Sequence, residues 1–243
     1  MKYIIWTYWS GTKDSIYNEC QFSWRDKLRY SRWVVKRLNP TNIHKYGLDL
    51  PTNFNSLIPA HQSDVVRLGL LYKYGGIWMD STIYLNRGLD WVLNEVDVTS
   101  TDYYMCKWDY LNYPENWMIV CPKPLNENIL KWRNALLETI EVYPNVTSTK
   151  YYSDFKSITV DDNYFMMYQI YGYLIHKDKT FKKSCVLSPM YWVFIPLQLP
   201  LDFDPRPFIK YTGDGRRKKY IYKWISIVVM CVVYFKVRLM SLD

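Results

Sequence analysis

The stretch Ser63–Leu85, S-D-V-V-R-L-G-L-L-Y-K-Y-G-G-I-W-M-D-S-T-I-Y-L, decides the fold. Val65, Leu68, Leu71 and Tyr72 recur at three- and four-residue spacing, so the segment predicts a helix with one buried face. Ser63 is placed to cap that helix by accepting from a first-turn N–H. Gly75-Gly76 stops it, because glycine alone enters positive φ without steric cost. Ile77-Trp78-Met79 then reads as a buried strand that delivers Asp80 at its carboxyl end, the edge where open α/β sheets build ligand sites. Asp64 and Arg67 stand three residues apart and share a helix face. A plain core helix-turn-strand with an ion pair accounts for the same residues, since such units are common in α/β folds.

Outward from this block, K-Y-I-I-W-T-Y-W (Lys2–Trp9) is β-branched and aromatic and predicts a first, central strand. Trp6 and Tyr8 fall on one side of it near its carboxyl end, fitting either nucleobase stacking or core packing. Ile16, Cys20, Trp24 and Leu28 repeat every four residues and predict a helix over Ser15–Leu28. Arg32–Leu38 reads as a second strand, and Asn42–Tyr46 as a short helix closed by Gly47. Leu50–Pro59 is a connection. Downstream, Leu89–Val96 is helical, and Tyr103–Trp108 and Trp117–Cys121 are strand-like. Asn126–Val142 is a well-marked helix. A late helix, rich in Tyr, Phe and Met, is predicted from Asp161 to His176, and Ser188–Pro207 is proline-broken.

Composition sets the limits. The 243 residues fit one large domain or two small ones and, at 49% apolar, are enough for a substantial core. Eleven Trp and 24 Tyr are an excess that serves either packing or stacking on sugars and bases. A net charge of +8, from 31 basic and 23 acidic residues, suits phosphorylated ligands, anionic polymers or a membrane surface. The helix-turn-helix, zinc-finger and aromatic-glycine patterns of nucleic-acid binders are missing, so no nucleic-acid partner is expected. The five cysteines are scattered and odd in number, which argues for reduced, buried thiols and a cytoplasmic setting. His44, His61 and His176 are isolated and read as structural. The start, Met1-Lys2-Tyr3, lacks a signal peptide's pattern.

The end of the chain divides the expectation: residues 1–210 as the main domain and 211–243 as a basic and apolar tail. Trp224–Phe235 is apolar but short of the ~20 residues that cross a bilayer as a helix. Burial is the first reading, peripheral contact with a membrane's cytoplasmic face the second, and a complete span the third.

The helix-GG-strand block resembles the sugar-binding region of "DXD" glycosyltransferases. It is most similar to the capsular polysaccharide synthesis protein family, and more distantly to Och1-type mannosyltransferases and glucosylating clostridial toxins. K-Y-I-I-W-T-Y-W-S-G and D-D-N-Y-F-M-M-Y-Q-I-Y-G-Y-L-I resemble that family's first strand and late aromatic helix. The resemblance implies a GT-A-type α/β fold, a single domain with a mixed, mostly parallel sheet flanked by helices. It also implies a nucleotide-diphosphate sugar donor and a glycan or lipid-linked glycan acceptor. By motif position, Asp64 and Arg67 hold the donor sugar and the charge near the diphosphate, Trp78 lines the pocket, and Asp80 is the first acid of the DXD. Trp6 stacks on the base, with Tyr8, Gly75 and Gly76 beside the donor. Thr82 replaces the second acid, which leaves Asp80 as the sole metal ligand of the motif and puts a Mn²⁺ or Mg²⁺ requirement in question. Arg216 and Arg217, in a glycine-bearing basic run, are placed to offset diphosphate charge instead. Asp161 and Asp162 stand as candidates for a base near the acceptor. A non-catalytic sugar-binding module and a membrane-associated scaffold remain the rival readings.

Overall fold

A computed structural model describes residues 2–107, 114–153, 163–187 and 208–210. The chain divides into two compact units. The larger one is built on a six-stranded sheet from β1 (Tyr3–Tyr8), β2 (Trp33–Leu38), β3 (Gly76–Met79), β5 (Tyr104–Lys107), β6 (Pro114–Cys121) and β7 (Cys185–Leu187). The strand order is β2-β1-β3-β6-β5-β7. β1 is parallel to both β2 and β3, and β5 is parallel to β7; β6 alone runs antiparallel to its neighbours. The sheet is therefore mixed and mostly parallel. The helices of this unit are α2 (Pro59–Tyr74), α3 (Asp90–Glu95), α4 (Glu127–Glu141), α5 (Lys150–Ser153) and α6 (Met166–Lys177).

One continuous core fills this unit, with Leu68, Leu70, Leu71, Trp78, Met105, Ile119, Trp132 and Ile170 among its fully buried members. Helices α2 and α4 supply much of it: α2 is buried at every residue from Asp64 to Leu71 and packs on β1 and β3, while α4 buries the face of Ile129, Trp132, Leu136 and Ile140 and packs on α2. Asn126 caps α4, its side chain accepting from the N–H groups of Asn128 (2.9 Å) and Ile129 (3.0 Å).

The smaller unit contains α1 (Ser15–Lys27), β4 (Ile83–Leu85) and β8 (Phe208–Lys210). Asp14 caps α1 through Tyr17 N–H at 2.7 Å. Trp24 Nε1 donates to the Ile83 carbonyl at 2.6 Å, tying α1 to β4, which pairs antiparallel with β8.

Three boundaries differ from the sequence reading. Helix α2 begins at Pro59, four residues before Ser63, which lies inside the helix. Proline suits the first helical position because its missing N–H has no intrahelical partner there. β6 begins at Pro114 instead of Trp117, and α6 at Met166, after a turn over residues 163–165. No helix among the described residues is long and apolar enough to cross a membrane.

Candidate functional site

The parallel strands β1 and β3 end at Tyr8 and Met79, so Asp80 emerges at the carboxyl edge of the sheet. Its backbone N–H donates to the Trp117 carbonyl at 3.0 Å, carrying the β3–β6 ladder one residue further. Ser81 fixes the next step of the chain. Its hydroxyl donates to the Tyr8 carbonyl at 3.1 Å and pairs with the Thr7 hydroxyl at 2.7 Å.

Helix α2 presents His61, Asp64 and Arg67 at three-residue spacing, and all three are buried. The Arg67 guanidinium bridges two acids: Nη1 lies 3.1 Å from Asp64 Oδ1, and Nη2 lies 3.0 Å from Asp80 Oδ1. It also lies over the Trp78 ring, 5.0 Å from the centroid, while Trp78 Nε1 donates to the same Asp80 oxygen at 2.9 Å. Asp80 keeps part of its carboxylate at the surface, with its side chain 22% exposed. Arg67 Nε is buried and has no hydrogen-bond partner among the described residues. His61 Nδ1 approaches Asp64 Oδ2 only to 3.6 Å, outside hydrogen-bond range.

The first residues of β6 and α6 meet beside this cluster. Arg67 Nη1 and Asn116 Nδ2 each reach the Met167 sulfur at 3.6 Å. The Tyr168 hydroxyl donates to Glu115 Oε2 at 2.6 Å and lies 3.2 Å from Asn116 Oδ1. Burial pushes the Tyr168 phenol well above its ordinary range, and the Glu115 charge adds to that, so it stays a protonated donor.

A profile of the capsular polysaccharide synthesis protein family matches residues 1–225. The chain belongs to that family. No curated protein matches the sequence. Among solved structures, the PaToxG glycosyltransferase is similar at 14% identity and a TM-score of 0.43, over 60% of this chain and 64% of that one. The glycosyltransferase GlyE of Streptococcus pneumoniae TIGR4 shares 12% identity at a TM-score of 0.43, over 77% of this chain and 45% of its own. A galactosyltransferase LgtC solved with donor and acceptor sugar analogs shares 11% identity at a TM-score of 0.38, over 86% and 87%. This chain spans less than two thirds of the PaToxG and GlyE structures. Likenesses this loose carry no weight for function.

In this capsular polysaccharide synthesis protein, the expected residues separate into two groups. Asp64, Arg67, Trp78 and Asp80 are brought together at the carboxyl edge. Gly75 and Gly76, expected beside the donor, stand instead at the amino end of β3, about 13 Å of strand away from Asp80. Their φ angles are +64° and +96°, and a Cβ on Gly76 would sit 2.8 Å from the Ile4 carbonyl oxygen, so they serve the turn and close packing. Trp6, expected to stack on a base, is buried with 2% exposure. Its Nε1 donates to the Gly75 carbonyl at 2.8 Å, and its ring packs against Tyr46 and Tyr74. The structure thus gives Trp6 a packing role. Tyr8 is likewise buried, donating to Gln62 Oε1 at 3.0 Å, and burial raises its phenol. Thr82 is buried in the turn before β4. Asp161, Asp162, Arg216 and Arg217 lie outside the described residues.

Glu115, Asn116, Met167 and Tyr168 escaped the sequence reading. The acid and amide of P-E-N-W stand just before an apolar run, a signal that matters only once β6 is known to be antiparallel.

A divalent cation finds one hard ligand here. Asp80 Oδ1 already accepts from Arg67 and Trp78. Among the described residues no group of three His, Cys, Asp or Glu is placed to hold an ion. Asp80 fits as a single protein ligand for Mn²⁺ or Mg²⁺, ions often held by one or two carboxylates with substrate phosphates and water. Such an ion would supply charge neutralisation at a diphosphate.

Proposed function

We propose that this protein is a glycosyltransferase that moves a sugar from a nucleotide-diphosphate sugar onto a glycan acceptor, in capsular or other surface polysaccharide synthesis. The observation that carries the reading is the Asp64–Arg67–Asp80 bridge at the carboxyl edge of the sheet, backed by Trp78. Carboxylates accept from sugar hydroxyls and a guanidinium donates to them, so the bridge is chemically suited to hold a polyol against an aromatic wall. Membership of the capsular polysaccharide synthesis family supports a sugar-polymer context.

The bridge sets two carboxylates against one guanidinium, so it does not itself balance a diphosphate. Leaving-group charge must be met by other cations. A substrate-bound Mn²⁺ or Mg²⁺ and the basic residues Arg216 and Arg217 are the candidates, and peripheral membrane contact through the tail belongs to the same reading.

The test is incubation of the full chain with UDP-glucose, UDP-galactose, UDP-N-acetylglucosamine and GDP-mannose, with and without Mn²⁺, reading release of nucleoside diphosphate. Slow hydrolysis of one donor, lost in Asp80→Asn, is expected. Binding without release by any of the four would favour a sugar-binding module.

A further inference from the structure

Positions two apart on a helix lie on roughly opposite sides, so Gly69 of α2 faces away from Arg67. On that side, between α2, α4 and the loop after Ile43–Tyr46, lies a hollow of about 300 Å³ lined by Leu48, Asp49, Gly69, Tyr72, Lys73 and Arg133. Its size falls at the small end of the range for small-molecule sites. Neither backbone nor packing requires the glycine. The positive-φ glycines among the described residues are Gly47, Gly75 and Gly76, so position 69 accepts any L-residue that helices tolerate. A Cβ there would meet only Leu48 side-chain carbons, at 3.5 to 3.9 Å, which is ordinary contact. A glycine inside a helix is less stable than alanine because it loses more freedom on folding. What Gly69 does in return is leave the hollow open.

The walls carry polar groups with unused capacity. The Arg133 side chain is only 13% exposed, and among the described residues it engages Nη2 alone, donating to the Asp49 carbonyl at 3.0 Å and Asp49 Oδ2 at 3.1 Å. Asp49 Oδ1 and the Tyr72 hydroxyl have no hydrogen-bond partner among the described residues. Lys73 Nζ donates to the carbonyls of Tyr46 at 3.2 Å and Gly47 at 2.7 Å, which leaves a third N–H to offer. A phosphate or sulfate would satisfy the cations but set its charge against Asp49. A neutral sugar would use Asp49 and Tyr72 but bring no counter-charge to Lys73. A sugar ring bearing a carboxylate meets every group: its carboxylate faces Arg133 and Lys73, its hydroxyls face Asp49 and Tyr72, and its C–H surface lies on Leu48. We propose that this hollow binds a hexuronic acid, free or as a unit of a glycan, at a site separate from the Asp64–Arg67–Asp80 bridge and independent of the transferase reading.

The experiment is saturation-transfer proton NMR on the full chain, titrated with D-glucuronate, D-galacturonate, D-glucose, trigalacturonate and a hyaluronan tetrasaccharide. At least one uronate should show ring-proton transfer, equally in wild type and Asp80→Asn. Glucose should bind about tenfold more weakly, and Arg133→Gln should weaken the uronate about tenfold, the scale of one lost charged hydrogen bond. Gly69→Met should abolish binding by filling the hollow, and equimolar inorganic phosphate should not displace the uronate. Tighter binding of the matching oligomer than of its monomer assigns the site to a glycan, and equal binding assigns it to the free acid. Gly69→Ala should raise the melting temperature by about 2–4 °C, since alanine is the better helix former. No transfer from either uronate, equal binding of glucose, displacement by phosphate, unchanged binding in Arg133→Gln or a lowered melting temperature in Gly69→Ala would overturn the assignment. If circular dichroism shows Gly69→Met unfolded, Arg133→Gln and Gly69→Ala decide.

Discussion

Arg67 donates to Asp80 across 3.0 Å and so joins helix α2 to the end of β3. Both groups were delivered by one continuous stretch of chain, thirteen residues apart, and the Gly75-Gly76 turn is what folds them together. Removing the guanidinium leaves two facing carboxylates without their counter-charge. Arg67→Met should therefore destabilise the protein by about 3–5 kcal/mol, the range for breaking a buried pair by taking one partner. Urea denaturation of the variant checks this through the midpoint. Arg67→Lys should recover part of the stability and little of the donor affinity, because an ammonium cannot span both acids.

The glycine pair gives the opposite signature. Gly76→Ala places a Cβ 2.8 Å from the Ile4 carbonyl oxygen at φ +96°, and Gly75→Ala meets backbone of Cys121, Lys123 and Pro124 at 3.0 Å. Each should lower stability by about 1–3 kcal/mol, the scale of stored backbone strain. Donor Kd, measured by calorimetry on the folded fraction, should stay unchanged.

Acid stability has an identifiable contributor away from the site. The Lys131 ammonium and the Thr180 hydroxyl and backbone N–H hold Asp178 well below its ordinary value of 3.8, at about 2. A carboxylate with a lowered folded-state value stabilises the fold above pH 4 and loses that contribution as pH falls from about 4 toward 2. Asp178→Asn should flatten the unfolding free energy in this window. The pair is partly exposed, so the change should stay under about 1 kcal/mol.

Thiol labelling tests the burial pattern. Burial raises Cys106 far above the ordinary thiol range and pushes Cys121 up to about 12, whereas Cys185 lies partly exposed on β7. In native protein at pH 8, iodoacetamide should modify Cys185 first among the described cysteines, with Cys20, Cys106 and Cys121 reacting only on unfolding. Peptide mass mapping over time reads the order.

Much of this was legible locally. The period of Val65, Leu68 and Leu71, the double glycine and the apolar run to Asp80 are short-range signals, and helix, turn and strand follow from them. Trp6 was not legible in the same way. Its strand was clear, but whether an indole at a strand's end faces ligand or core is fixed by Gly75, sixty-nine residues on. Ser63 misled because a good capping residue was preceded by Pro59, a stronger start. Glu115 was hidden by two non-local facts, the antiparallel sense of β6 and its bulge against β5. Local pattern could place the Asp64–Arg67–Asp80 bridge, and only tertiary pairing could place its neighbours.

The metal question has its own outcome. One carboxylate already bonded to Arg67 and Trp78 is a poor cage, so 1 mM MnCl₂ alone should leave the melting temperature unchanged, while Mn²⁺ added with the accepted nucleotide sugar should raise it beyond the sugar alone. A shift from the ion alone would place a site elsewhere in the chain.

The most direct measurement of the central claim is a thermal-shift titration of wild type, Asp80→Asn and Arg67→Lys with the four nucleotide sugars. A ligand at a hundred times its Kd should stabilise the wild type by about 2.7 kcal/mol and raise its melting temperature accordingly. This rise is expected for at least one sugar, with little or none in the two variants. Equal shifts in all three proteins, or none in the wild type, would contradict the Asp64–Arg67–Asp80 bridge as the donor site.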